Sequence, residues 1–361
     1  MQRVRKFRRI AMSAALAAAA GLGVAACTSS SNTPKSPASG NAGSACKSGK
    51  APGVAALPGY QVCLWVAATS TANHPDNVVI SGSKVFIGWQ NITAKDGTDT
   101  KTSTIAEYTT SGKLLKSWSV RGHTDGMRVD PSTRLLWVMC DEDGNPRLYT
   151  IDTSSSTPTP ITLPPTPHGG GFDDIQFVNG IAVIDASNPT LNKAGTNVFP
   201  ALYKVTLSGT HATLTKVLMA DAKATTITPP VSTVTLNLTD PDSMMIDPQG
   251  NLVLDSQGDS EMLWIKNVGT PQQSVSVLSV GTQVDDSVFP SSSKGCVLVA
   301  DGNSGVYSIC SHVWIPGSAY TGAPNDSGVI GFVGTLNLSS GMIMPIVVGI
   351  ASPHGMAFLP Q

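Results

Sequence analysis

Charge is scarce in this chain. Only 13% of its 361 residues are Asp, Glu, Lys or Arg, and the formal net charge is −1. That balance provides no basic footprint for nucleic acid and no acidic tail. No Cys-x-x-Cys occurs, which argues against thiol redox chemistry and a zinc knuckle. Gly-x-Ser-x-Gly elbows, His-Glu-x-x-His helices and phosphate-binding loops are also missing. Gly169, Gly170 and Gly171 follow His168, but without the strand-to-helix context that nucleotide binding needs. The longest apolar run, residues 10–26, is too short and Ala-rich for a permanent membrane span. What is plentiful is Gly, Pro, Ser and Thr, which suits many short strands joined by turns.

The N-terminus reads as an export signal. Arg3, Arg5, Lys6, Arg8 and Arg9 form a positive region ahead of the apolar run, which ends in Val24, Ala25, Ala26 and Cys27. This ending resembles the lipobox of bacterial lipoproteins. The resemblance implies cleavage before Cys27, diacylation of its thiol, and a protein held to a membrane of the cell envelope on its extracytoplasmic side. An ordinary secretory signal with a chance cysteine is the alternative. Three segments are expected: a signal over 1–26, a lipidated cysteine and flexible tether over 27–53, and a folded domain over 54–361. The tether is rich in Ser, Gly, Pro and Asn without apolar periodicity. About 25 coil residues span roughly 28 Å.

Export makes disulfides available. With Cys27 given to lipid, Cys296 and Cys310 are placed to pair across neighbouring strands, and Cys46 to join the tether to Cys63. Cys140 is left over as a small buried hydrophobe.

The domain repeats. The stretch from Leu238 to Asp259 contains an acidic turn, an apolar strand, the turn Asp247-Pro248-Gln249-Gly250, a second apolar strand and another acidic turn. Comparable starts occur at Asp76, Asp125, Asp173 with Asp174, Asp242, Asp285 with Asp286, and His354. Intervals of about 45–50 residues separate most of them, with longer ones before Asp242 and His354. Second strands are expected at 84–89, 135–140, 181–185, 251–255 and 296–301. Third strands are expected at 104–108, 147–151, 202–207 and 262–265, and fourth strands at 114–119, 213–218 and 274–280. Asn179-Gly180 is a strong hairpin signal. Four strands per repeat of this length predict an all-β propeller of six blades, with five or seven as alternatives at the closure. The chain ends after the first strand of its sixth repeat. Residues 61–67 are therefore expected to supply an outer strand and join the two termini in one blade. The intervals 221–236 and 312–327 read as insertions on one face.

This strand-turn-strand-Asp pattern resembles the NHL and SMP-30/gluconolactonase-like propellers over roughly residues 59–361. In the latter, carboxylate and Asn side chains from blade starts hold a divalent metal in the channel. The resemblance implies that Asp242 is a ligand and base, and that Asp76, Asp125 and Asp173 take the other ligand places. The family has a Glu and Asn residues there, so this chain departs from its pattern. Asp286 completes an acidic ring suited to Ca²⁺ or another divalent cation. Each Asp could equally shape its turn by accepting backbone N–H bonds. His74, His123, His168 and His354 also lie at repeat starts, and His123 and His354 are the candidates for catalysis beside Asp242. Trp314 and Tyr320, inside an insertion, are candidates for contacting a ligand such as a glycan.

Two functions follow. One is a lipid-anchored module binding a small molecule, glycan or protein at the channel mouth. The other is a divalent-metal-dependent hydrolase of a lactone or ester, in which the ion polarises the carbonyl. Fold alone does not choose between them.

Overall fold

The computed structural model describes residue 51, residues 53–325 and residues 328–361. The expected signal, Cys27, Cys46 and most of the expected tether lie outside the described residues.

The first described strands are β1 (Ala55–Ala56) and β2 (Tyr60–Ala67). One blade follows in chain order from β3 (Pro75–Ser81) through β4 (Lys84–Trp89) and β5 (Thr102–Thr109) to β6 (Leu114–Arg121). The next contains β7 (Thr124–Val129), β8 (Leu136–Cys140), β9 (Arg147–Ile151) and β10 (Thr159–Ile161). The third contains β11 (Phe172–Val178), β12 (Ile181–Ala186), β13 (Pro200–Ser208) and β14 (His211–Met219). Its first hairpin turns on Asn179 and Gly180, both at positive φ, as a two-residue turn of this hand requires.

The interval 221–236 is a hairpin, β15 (Lys223–Thr226) and β16 (Thr233–Thr235). It extends the fourth blade instead of capping one face, because β15 runs parallel to β20 (Ser274–Ser279). The rest of that blade is β17 (Pro241–Ile246), β18 (Leu252–Ser256) and β19 (Glu261–Lys266). Between β17 and β18, Asp247 Oδ1 accepts the N–H groups of Gln249 and Asn251, which fixes the turn.

The last two blades exchange strands. β21 (Ser287–Val288) begins the fifth blade, but β22 (Gly295–Asp301) and β23 (Gly305–Ser311) do not join it. They form the middle of the sixth, between β27 (Pro353–Pro360) on the inside and β2 on the outside. The fifth blade is completed by β24 (Tyr320–Ala323), β25 (Phe332–Leu336), β26 (Ile343–Val348) and β1. This corrects the expectation that 296–301 is the second strand of the fifth repeat. Every residue of β22 and β23 is buried, as strands covered on both faces and flanked on both edges should be. Such a run carries no mark of which inner strand it will join. The exchange also fills the closing blade, for which residues 61–67 alone supply only the outer strand. Cys296 and Cys310 stand opposite each other in β22 and β23 and are disulfide-bonded. Cys63 is disulfide-bonded as well, while Cys140 is free and buried.

The described strands therefore make six blades. Apolar clusters sit between adjacent blades: Val183, Leu202 and Leu218 of the third pack with Leu254, Leu263 and Val277 of the fourth. Trp314 and Tyr320 belong to such a cluster. Both are buried, their rings meet edge to face at 4.7 Å, and Trp314 Nε1 donates to Gly295 O. Packing consumes the surface that a glycan would need.

Candidate functional site

Irregular pairing at the start of the inner strands positions the site. In β3, β7, β11 and β17 the pairing register slips at the acidic start, between Pro75 and Val78, Thr124 and Met127, Phe172 and Ile175, and Pro241 and Met244. Such a bulge re-aims consecutive side chains. Asp76, Asp125, Asp173 and Asp242 thereby line one cup of about 360 Å³, joined by Asp285 and His354, with Glu142 and Lys95 on its wall. Close approach of the inner strands forms its floor. A Cβ on Gly126 would stand 2.3 Å from Asp174 Cα, so only glycine fits there without movement.

The residues after Asp173 and Asp285 have a different task. Asp174 Oδ2 accepts the N–H of Met244 at 2.8 Å, and Asp286 Oδ2 accepts that of Met356 at 2.6 Å. Both bonds tie one blade to the next. Asp286 thus does not belong to the ring, and Asp285 takes the place expected for it. Asp286 instead borders a second cavity, lined by Val78, Ile80, Met245 and Phe358. Aspartates after or within the second strands are structural too. Asp141 accepts the N–H of His123, Asp185 that of Asp174, and Asp301 that of Ser352.

Arg128 separates the two cavities' surroundings. Its guanidinium donates to Asp174 Oδ2 at 2.9 Å, Met244 O at 2.6 Å, Met127 O at 2.7 Å and Asn77 Oδ1 at 3.3 Å. One side chain on β7 so reaches β3, β11 and β17. No repeat pattern marks it, because it is unique to its blade.

Buried His123 stands behind Asp125 and Glu142 of the cup wall, and the three bring one ligand atom each to within 4.8 Å of one another. His123 Nδ1 lies 2.9 Å from Thr93 O, the geometry of a ring N–H donating to that carbonyl. This leaves Nε2 with its lone pair 3.5 Å from Asp125 Oδ1. Among the described residues, His123 Nε2 and Asp125 Oδ2 are buried without a hydrogen-bond partner. Gln90 Nε2 donates to Asp125 Oδ1 at 2.9 Å, and Lys95 Nζ pairs with Glu142 Oε1 at 2.6 Å. Glu142 was not foreseen from the sequence. It sits in the loop after β8, outside the repeat motif, and folding alone brings it to the cup.

On another wall, His354 Nδ1 lies 2.7 Å from Asp285 Oδ2 and 3.5 Å from Asp76 Oδ1. Its Nε2 lies 2.9 Å from Ser352 Oγ. Gln257 Nε2 donates to Asp285 Oδ2 at 3.0 Å and holds it in place. His74 lines the cup, while His168 does not. The latter is buried beside Phe172, with Nε2 2.7 Å from Gly171 O.

The electrostatics reflect crowding. Burial, then the neighbouring Glu142 and Asp76, push the Asp125 carboxyl well above the usual carboxylate range. Burial and Asp242 do the same to Asp173, and burial and Asp285 to Asp242. Asp76 is raised to about 7, again chiefly by burial, although His354 opposes the rise. Burial also disfavours charge on Glu142, but the Lys95 ammonium overcomes it and holds that carboxyl below its ordinary value. Burial lowers His123, keeping its imidazole neutral. A neutral imidazole and the ionised Glu142 are donors for a divalent cation, and a cation beside Asp125 would compete with the proton that burial favours there.

No protein-family model matches the chain, and no curated protein matches it. Solved structures similar to it include virginiamycin B lyase from Staphylococcus aureus, at 12% identity and a TM-score of 0.49, covering 84% of this chain and 94% of that one. Another is a protein from Bacteroides uniformis provisionally named a 6-phosphogluconolactonase, at 10% identity and a TM-score of 0.46, covering 85% of this chain and 87% of that one. A third, provisionally named a gluconolactonase, has 11% identity and a TM-score of 0.45, covering 84% and 83%. The six blades stand on the strand pairing described above, and the activities in those names belong to those proteins.

Proposed function

We propose that this chain is a lipid-anchored β-propeller of the bacterial cell envelope that binds a divalent cation in its acidic cup and, with it, an oxygen-bearing ligand at the channel mouth. The observation that carries the cation is that His123 Nε2 and Asp125 Oδ2 are buried without hydrogen-bond partners among the described residues, on two side chains that gather with Glu142. Leaving two buried polar atoms unpaired costs about 1–3 kcal/mol each, and a cation between them offsets that cost. One nitrogen and two carboxylates suit Mn²⁺ or Zn²⁺ better than Ca²⁺, which prefers oxygen ligands alone. A bound cation would neutralise the wall and present open coordination positions to a ligand.

Calorimetric titration of chelator-treated protein with Mn²⁺ tests this reading. His123→Ala should weaken binding at least about tenfold, since one of three ligands is lost. An affinity unchanged by that substitution would sink the assignment. The anchor rests on Val24, Ala25, Ala26 and Cys27 with the polar tether behind them. Cys27→Ser protein should leave the membrane fraction, and its retention there would argue against lipidation.

The second reading remains a divalent-metal-dependent hydrolase of a lactone or ester. It is favoured by His354, which faces the cup and is oriented by Asp285. Asp242 fits the base role less well, because its raised pKa favours the protonated form.

A further inference from the structure

Ser352, His354 and Asp285 stand in a sequence of contacts that shares no residue with the proposed cation site. We propose that Ser352 is a nucleophile for acyl transfer, with His354 as its base and Asp285 orienting the imidazole, and that the cup accepts esters carrying a cationic group.

The geometry has the order that nucleophilic catalysis needs. Asp285 Oδ2 is 2.7 Å from His354 Nδ1, so the ring N–H on that side points at the carboxylate. The tautomer this favours leaves Nε2 as an acceptor, and Ser352 Oγ lies 2.9 Å from it. Gln257 fixes the carboxylate at 3.0 Å. Backbone bonds hold the serine: its N–H donates to Asp301 Oδ1, and its carbonyl accepts from Gly302 N. Ser352 and His354 are two residues apart at the entry to β27, and both border the cup. No Gly-x-Ser-x-Gly elbow announces this serine, because the fold assembles the contacts at a blade start.

The chemistry balances without a co-reactant beyond water. Ser352 Oγ attacks the ester carbonyl carbon while its proton passes to His354 Nε2. The tetrahedral adduct collapses, the bond from carbonyl carbon to alkoxy oxygen breaks, and the alcohol leaves with that proton. Water then attacks the acyl-serine, giving a proton to Nε2 that returns to Oγ as the acid departs. Asp76 and Asp242 share the cup with the triad; an ammonium group placed beside them favours their ionised form and pairs with it, an attraction that a neutral or negatively charged substrate does not have.

Glycine p-nitrophenyl ester and p-nitrophenyl acetate are suitable probes, used with the folded full domain and corrected for spontaneous hydrolysis. The native protein should release nitrophenol with a kcat/KM at least about tenfold higher for the cationic ester. Ser352→Ala and His354→Gln should each reduce kcat by about 10²–10⁴-fold while leaving the melting temperature near the native value. A fluorophosphonate should label Ser352, as located by peptide mass spectrometry, and the label should weaken in His354→Gln. Repeating the labelling after chelation separates this proposal from cation binding, since the three contacts involve none of the ligands assigned to the cation. Failure to label Ser352 in folded native protein, or turnover unchanged in Ser352→Ala, overturns the proposal. A preference for the neutral ester overturns the substrate class.

Discussion

Arg128→Ala should destabilise the protein by about 3–5 kcal/mol, a cost typical of breaking a buried ion pair from one side. Asp174 has a side chain only 1% exposed and keeps its position by pairing with Arg128 at 2.9 Å. Burial pushes the Asp174 carboxyl up, and the guanidinium is the first influence opposing it. Removing that cation leaves a carboxylate that must be protonated or remain buried with poor compensation. Two carbonyls, Met244 O and Met127 O, lose a donor at the same time. At roughly 2–4 °C per kcal/mol for a domain of this size, thermal melting should fall by about 10 °C. Arg128→Lys should recover little, because a point charge cannot reproduce a planar fork reaching several partners. Adding Asp174→Asn to Arg128→Ala should return part of the loss, since it removes the stranded charge. A fall of less than about 3 °C in Arg128→Ala would mean that this side chain is not the bolt across the inner strands.

Arg128 also shows where sequence reading stops. Strand positions and blade number follow from local signals: alternating apolar residues, Asn179-Gly180, the Asp247 turn and recurring acidic starts. The wall of the cup that contains Asp125 could be located in the same way. Three features could not. Asp285 and Asp286 are adjacent and alike, and the local geometry of the inner strand decides which one reaches the cup. Glu142 comes to the site from a position without a repeat signature, and Ser352, although beside the sixth repeat start, carries no local mark of a nucleophile. Strands β22 and β23 choose β27 over β21, a pairing fixed by contacts distant in sequence. Those are tertiary decisions, and a period of two or of about 45 residues does not encode them.

Crowded carboxylates have a consequence for pH that distinguishes the cation reading from a purely structural ring. Without divalent ions, stability should fall as pH rises from about 5 to about 8. Asp76 is raised to about 7, as is Asp286, while Asp125, Asp173 and Asp242 are raised well above their ordinary value, with burial the leading cause throughout. A carboxyl whose folded pKa exceeds its unfolded one binds protons more tightly in the native state. Its contribution is complete below about pH 4 and disappears as pH climbs through the folded value. His123, lowered by burial, acts in the opposite direction, since its folded form binds protons less well than the unfolded chain. Glu142 is also lowered, but its contribution changes only in the acid range. Raised carboxyls therefore prevail between pH 5 and 8. A divalent cation should make the slope shallower, because deprotonation of Asp125 creates one of its ligands. At a concentration about a hundred times its dissociation constant, it should add about 2.7 kcal/mol near pH 8, and much less near pH 5, where protons compete. Melting curves of chelator-treated and Mn²⁺-loaded protein across this range provide the check. Parallel curves would leave the ring as turn-shaping aspartates alone, whereas curves that diverge toward pH 8 and converge again in His123→Ala place the ion at His123, Asp125 and Glu142.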